Sequence, residues 1–270
     1  MSQVRADAKL FSDGLAKSRE KARSLIMAGV VYSNGKRIDK PGEMVTPETI
    51  LEIKQDPVPY VSRGGLKLKK ALDSFPITAE NKVCADIGAS SGGFTDCMLQ
   101  HGAKKVYAID VGYGQFDWGL RNDSRVVVME RTNARYMETS WFTENLEFAA
   151  MDVSFISIKL ILKPLYEIMQ YGGEVVALVK PQFEAGRSKV GKNGVVREES
   201  THIEVLSEAA NFSMQLGFEV VGMNFSPITG PKGNIEFLLA LRKSNIQTIQ
   251  DIESVVTDTV KQAHSSLHSQ

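Results

Sequence analysis

The residues able to do chemistry in this chain sit at the ends of apolar runs. Val83-Cys84-Ala85 leads into Asp86-Ile87-Gly88-Ala89-Ser90-Ser91-Gly92-Gly93-Phe94-Thr95. The stretch reads as a strand that turns through glycines into a helix, with an acid at the strand's end. Glycines let backbone come close to a ligand, and a helix start aims N–H groups at it. The next apolar run, from Val106, closes on Asp110, where a nucleotide ribose offers its hydroxyls to a carboxylate. Two later runs end in Met151-Asp152-Val153-Ser154-Phe155 and Val179-Lys180-Pro181-Gln182-Phe183. A lysine followed by proline at one strand end, set against an aspartate from its neighbour, is poorly explained by packing. The plain alternative is one surface ion pair.

The glycine spacing selects among nucleotide ligands. Gly88-x-x-x-Gly92-Gly93 is not the dinucleotide form Gly-x-Gly-x-x-Gly; it is the form that S-adenosylmethionine enzymes use. An ordinary strand–turn–helix of an α/β core is the competing explanation. The residues expected at that cofactor are Asp86, Gly88, Ala89, Ser90, Ser91, Gly92, Gly93, Phe94, Asp110, Val111 and Asp152, with Asn133 placed to hydrogen-bond an adenine edge. His101, His202, His264 and His268 have no metal-ligand spacing, so no metal is expected. Trp118 and Trp141 are assigned to packing.

The elements that must hold these residues alternate. A helix from Leu66 to Phe75 precedes strand 83–87, helix 93–101, strand 105–110, a short helix near 115–121 and strand 126–130. Strand 148–152, helix 158–170, strand 174–179, helix 199–216 and strands 218–225 and 234–242 follow. Such alternation predicts an α/β fold with a mainly parallel sheet covered on both faces. The last two strands lack a helix between them and are expected to pair antiparallel. This is the Rossmann-like, seven-stranded shape of class I S-adenosylmethionine methyltransferases. Residues 245–270 read as a polar amphipathic helix that frays.

A small α+β module is expected before that sheet. Ala8–Leu15 forms a short helix, and Ser18 caps a second one from Arg19 to Ala28. Ser33-Asn34-Gly35 joins two short strands as a hairpin, and Ile50–Ile53 adds another. The predicted division is 1–57 for this domain, 58–62 for a proline-stiffened linker, 63–244 for the sheet domain and 245–270 for the tail.

Composition narrows the function classes. Hydrophobic residues make up 43% of the 270 and charged residues 24%, as in soluble globular proteins. No apolar run nears the ~18 residues that span a bilayer, and the first residues lack a signal-peptide core. Two cysteines, Cys84 and Cys97, fit a reducing cytoplasm. The zero net charge hides a division: residues 1–72 carry 14 Lys+Arg against 8 Asp+Glu, leaving 18 against 24 in the remainder. A basic head on an acidic body suits a polyanionic partner. The basic residues expected to meet that partner are Arg5, Lys17, Arg19, Arg23, Lys36, Arg63, Arg187, Lys189, Lys192 and Lys232, with a solvated helix face as the alternative for Arg19 and Arg23. Three of these lie in the glycine-rich loop from Glu184 to Arg197, read as a flap on the RNA side with a solvated loop as its alternative. Phe94 and Phe183 are candidate stacking partners for a base, or core residues.

Longer words carry a family resemblance. Ser18-Arg19-Glu20-Lys21-Ala22 and Val31-Tyr32-Ser33-Asn34-Gly35-Lys36 resemble the αL RNA-binding module of a small-subunit ribosomal protein. Tyr60-Val61-Ser62-Arg63-Gly64-Gly65-Leu66-Lys67-Leu68, the Asp86–Thr95 stretch, Met151–Ser157, Val179–Glu184 and Gly233-Asn234-Ile235-Glu236-Phe237 resemble the haemolysin-A/TlyA family, which joins that module to an FtsJ-like RNA 2′-O-methyltransferase domain. The resemblance implies methyl transfer from S-adenosylmethionine to a cytidine 2′-hydroxyl of ribosomal RNA, in the large ribosomal subunit, with the small subunit as a second target in some members of the family. It also implies a Lys-Asp-Lys-Glu tetrad at Lys67, Asp152, Lys180 and Glu236. Lys180 is expected to accept the hydroxyl proton, with the acids orienting the lysines and Lys67 positioning. A monomer is favoured. Two other functions compete: a ribosome-binding assembly factor with an inactive fold, and, more remotely, a haemolysin.

Overall fold

In a computed structural model of the chain, residues 3–27, 29–54, 58–244 and 251–267 are described. The chain divides into two units, Met1–Pro59 and Tyr60–Gln270. Gln55–Pro57 of the expected linker lie outside the described residues.

The first unit is built on two short helices, Ala6–Ser12 and Arg19–Met27. Ala6, Leu10, Ala22, Leu25 and Ile26 face Val30, Val31, Ile38, Val45 and Leu51 in one small core. The first helix starts two residues before its predicted span 8–15, and it stops earlier because Gly14 at φ +74° cannot continue it. Asn34 and Gly35, both at positive φ, turn the chain between Val31–Ser33 and Lys36–Arg37, as a tight hairpin demands. Glu52–Ile53 pairs on the other side of Val31–Ser33. Val4–Arg5 pairs with Met44–Val45; strands of two residues are too short to leave a periodicity in the sequence.

The second unit contains the sheet: β1 (Val83–Ile87), β2 (Lys105–Ile109), β3 (Val126–Met129), β4 (Leu146–Met151), β5 (Met169–Val179), β6 (Phe218–Phe225) and β7 (Phe237–Lys243). The strand order is β6-β7-β5-β4-β1-β2-β3. β7 runs antiparallel to both neighbours, and the other pairs are parallel. This is the expected α/β architecture with its closing antiparallel pair. Helices α1 (Gly64–Ser74), α2 (Gly93–Gln100), α3 (Lys159–Ile168), α4 (Glu199–Leu216) and α5 (Ile252–Leu267) accompany it. Ile87, Ile109, Met151 and Val179, the last residues of four neighbouring strands, have no exposed surface. Each anchors its strand end, so Gly88, Asp110, Asp152 and Lys180 emerge side by side at the carboxyl edge.

Two expectations need correction. The tail does form the expected amphipathic helix over Ile252–Leu267, but as part of the core and not as an appendage: Val256, Val260 and Ala263 recur at helical spacing and are fully buried, while 245–250 and 268–270 lie outside the described residues. Trp118 is 76% exposed and packs nothing away, whereas Trp141 does lie against the core. No helix among the described residues is long and apolar enough to cross a membrane.

Candidate active site

The crevice forms where β1 and β4 part. Gly88 (φ +84°) is required there, since a Cβ would stand 2.5 Å from the Asp152 carbonyl oxygen. The Gly88 and Ala89 N–H groups both donate to the Ile109 carbonyl, at 2.9 and 3.1 Å. Asp110 laces the loop to β2: Oδ2 accepts the Ser90 N–H at 2.7 Å and Oδ1 the Gly112 N–H at 2.6 Å. Gly92, in the left-handed region, caps α2 and Gly93 begins it.

Asp86 lies beneath the loop. Its Oδ2 accepts from the Thr95 N–H (2.8 Å) and hydroxyl (2.6 Å), while Oδ1 has no hydrogen-bond partner among the described residues. Burial pushes its carboxyl up to about 7 against the pull of the Thr95 bonds. Phe94 is buried, so it is core and not a stacking surface. Asn133 spends its Oδ1 on the Arg135 N–H at 3.1 Å, capping a short 3₁₀ turn.

Three cavities meet at Gly88, Ser90 and Asp152. One of about 500 Å³ has Asp110, Val111 and Asn133 in its wall. A second, about 420 Å³, is bounded by Arg63, Asp86, Ser91, Gly93 and Phe94. The third, about 520 Å³, is bounded by Lys67, Ser154, Phe155, Lys180, Lys232 and Glu236.

Four side chains from distant parts of the chain, Lys67, Lys180 and Glu236 buried and Asp152 partly so, form one row on the floor of this third cavity. Lys67 Nζ, from the first turn of α1, lies 2.7 Å from Glu236 Oε2 and 3.1 Å from Asp152 Oδ2. Lys180 Nζ pairs with Asp152 Oδ1 and donates to Ser154 Oγ at 3.0 Å. The order Glu236–Lys67–Asp152–Lys180 alternates in sign, which is what permits charges to be held together so largely out of water. Burial pulls the Lys67 ammonium down, but Asp152 and Glu236 outweigh it and the net direction is up. Burial likewise pushes Asp152 up, and the two lysines carry it below its ordinary value. Glu236 is fully buried with Oε1 unpartnered among the described residues. Gly230 makes room for it, since a Cβ there would stand 2.2 Å from Oε1.

Sequence reasoning passed over Phe155. It is 91% exposed, holds φ +63°, and its ring lies 5.0 Å from that of Phe183 at the cavity mouth. A bulky residue in the left-handed region signals a constrained turn. Glu184 supplies the constraint, accepting the Ser157 hydroxyl at 2.6 Å and the Ile158 N–H at 2.8 Å.

The cations assigned to RNA fall into separate groups. Arg5, Arg19 and Arg23 converge on Asp7, at 2.9, 3.5 and 3.3 Å. Asp7 is fully buried, and Arg5 above all holds its carboxyl down, at about 2. The acid that gathers the arginines was invisible as such in the sequence. Lys17 and Lys36 are exposed in the same unit. In the second unit Arg63, Arg187, Lys192 and Lys232 are exposed, whereas Lys189 is engaged by Glu204.

Comparison with known proteins gives this geometry its lineage. Residues 60–243 match the FtsJ-like methyltransferase family and residues 4–51 the S4 domain. The chain is 53% identical over 266 residues to "Putative rRNA methyltransferase YqxC" of Bacillus subtilis, covering 97% of this chain and 95% of that protein. It is 43% identical over 241 residues to "16S/23S rRNA (cytidine-2'-O)-methyltransferase TlyA" of Mycobacterium tuberculosis, covering 89% and 90%. A solved structure, "Putative hemolysin from Streptococcus thermophilus", superposes with a TM-score of 0.80 at 50% identity over 100% of this chain and 98% of that one. The chain belongs to the FtsJ-like methyltransferase family, in the branch that carries an S4 domain ahead of the methyltransferase fold.

Proposed function

We propose that this protein methylates the 2′-hydroxyl of a cytidine in ribosomal RNA, with S-adenosylmethionine as methyl donor. The observation that carries this reading is the largely buried row Glu236–Lys67–Asp152–Lys180 beside a glycine-lined crevice. The crevice suits the donor chemically: Asp110 and Val111 stand by one cavity, and the buried Asp86 carboxyl with an unpartnered oxygen stands by the next. Bound there, the donor supplies a methyl group activated by a sulfonium. Asp110 would hold ribose hydroxyls, Asn133 and Val111 the adenine, and Asp86 the amino end.

The protein's own residues have two tasks. The target ribose must be held with its oxygen in line, and orientation of this kind contributes several kcal/mol. Lys67, kept charged by two carboxylates, fixes Asp152 and Glu236; Phe155, exposed beside Phe183, offers a face on which an extruded base can stack. The hydroxyl must also lose its proton as its oxygen gains the methyl. Lys180 is the acceptor in this reading: it has one carboxylate partner where Lys67 has two, and its Nζ lies at the cavity beside Ser154. Its Nζ takes the hydroxyl proton, which then leaves from it to solvent. The S4 unit, with its arginines, binds the RNA.

Lys180→Ala tests the assignment. Methylation of ribosomal RNA should fall by about 10²–10⁴-fold, the range of a lost general base, while calorimetry gives an unchanged affinity for S-adenosylmethionine. Turnover near wild type would remove Lys180 from the mechanism.

A further inference from the structure

The segment that closes the third cavity on one side is Val190–Val196, at the end of the glycine-rich loop; Val190 and Gly194 line the cavity beside Lys180 and Glu236. Its far end is docked rather than loose. Val195 and Val196 are buried. The Val196 N–H donates to Asn234 Oδ1 at 3.1 Å, and Asn234 Nδ2 donates to the Gly194 carbonyl at 3.0 Å. Asn234 itself lies two residues before Glu236.

The Val196 carbonyl is held from the other side by His202 Nε2 at 3.2 Å. Facing a carbonyl, Nε2 carries the ring's N–H, so Nδ1 of the neutral ring is an acceptor. His264 Nε2 stands 2.9 Å from that Nδ1 and is its donor. His202 is 1% exposed and its ring lies T-shaped to that of Phe237, the residue after Glu236. His264 belongs to the last turns of α5, whose Val256, Val260 and Ala263 fasten it to the core. A connection thus runs from α5 through two imidazoles to the loop, and through Asn234 to the segment that carries Glu236 into β7.

We propose that His264 is a positioning residue for the methyl transfer. By donating to His202 it fixes the tautomer and orientation that hold Val196, and so seats the Val190–Val196 wall against the target nucleoside. This rests on the function proposed above. His264 reaches the site through His202 and Val196, so its effect is on substrate placement.

The test uses the full-length protein and the variants His264→Phe, His264→Ala and His264→Gln. Hydrogen–deuterium exchange at residues 194–197 should quicken about tenfold in the Phe and Ala variants, the weight of one buried hydrogen bond. The KM for ribosomal RNA should rise several-fold, about the same weight, with kcat and S-adenosylmethionine affinity little changed. His264→Gln, whose amide nitrogen can stand where Nε2 does, should restore both. Unchanged exchange at 194–197 in Phe and Ala would overturn the proposal; so would a uniform rise in exchange across the second unit with no rescue by Gln. Exchange is measured without substrate, so it decides the proposal even if the wild type leaves ribosomal RNA unmethylated, an outcome that would sink the assigned reaction instead.

Discussion

Lys67, Lys69 and Lys70 share one turn of α1, yet they meet three different environments. Lys69 pairs with Asp73 on the exposed face, and Lys70 lies over the Phe225 ring at 3.4 Å. Lys67 alone joins Asp152 and Glu236 in the crevice. Lys67→Met would leave Glu236 buried with no cation, a loss of about 3–5 kcal/mol for a broken buried pair. Thermal unfolding should show a lowered Tm, and Lys67→Met with Glu236→Gln should recover part of it; two independent, additive effects would contradict the coupling. Asp86 gives a pH signature. Its folded value of about 7 lies above the ordinary 3.8, so the folded state keeps a proton that the unfolded chain has released. Its contribution to stability therefore declines as pH rises from about 4 to about 7. Denaturant unfolding should show Asp86→Asn flattening that decline, and an identical slope in wild type and variant would refute it. Asp86, Asp110, Asp152 and Lys180 were legible in the sequence because each stands one residue from a strand's last residue, at the close of an apolar run. Lys67 and Glu236 were not: in a run of lysines and a polar turn, nothing local says which side chain faces inward, and only family resemblance singled them out.

At the scale of elements, periodicity carried far. β1 and its glycine loop fall where an all-apolar run followed by glycines requires, and α4 and β6 span the predicted residues, 199–216 and 218–225. What stayed hidden depends on partners distant in sequence. The apolar stripe Val256–Val260–Ala263 was present, but the core that covers it was not visible, so α5 read as a tail. Phe155 was quoted only as part of a motif, because its left-handed turn depends on Glu184, 29 residues on. Two substitutions test the elements. Gly88→Ala forces a Cβ against the Asp152 carbonyl at 2.5 Å in a left-handed backbone, so calorimetry should find S-adenosylmethionine binding weakened at least about tenfold. Phe155→Ala should raise the KM for RNA by the weight of one base stack, about 1–3 kcal/mol, with donor affinity kept; equal losses in both would make it a folding residue instead.

Across the whole molecule, charge is divided by task. The basic excess of the first 72 residues includes Arg5, Arg19 and Arg23, which Asp7 gathers while leaving each guanidinium about half exposed. Arg19→Gln and Arg23→Gln should weaken RNA binding and lower its dependence on salt, by about 0.7 in log–log slope for each phosphate no longer neutralised. Filter binding across a salt series would read this, with donor binding as the unaffected control. Asp7 sets an acid limit on the same unit: its carboxyl, held at about 2, adds stability that is complete above its ordinary 3.8 and lost as pH falls through about 2. All of this serves one reaction, and one measurement tests it most directly. Ribosomal RNA incubated with the purified protein and isotope-labelled S-adenosylmethionine, then digested and read by mass spectrometry, should carry the label on the ribose 2′-oxygen of cytidine. Label on a base, or none with wild-type protein that binds the donor, would contradict the account.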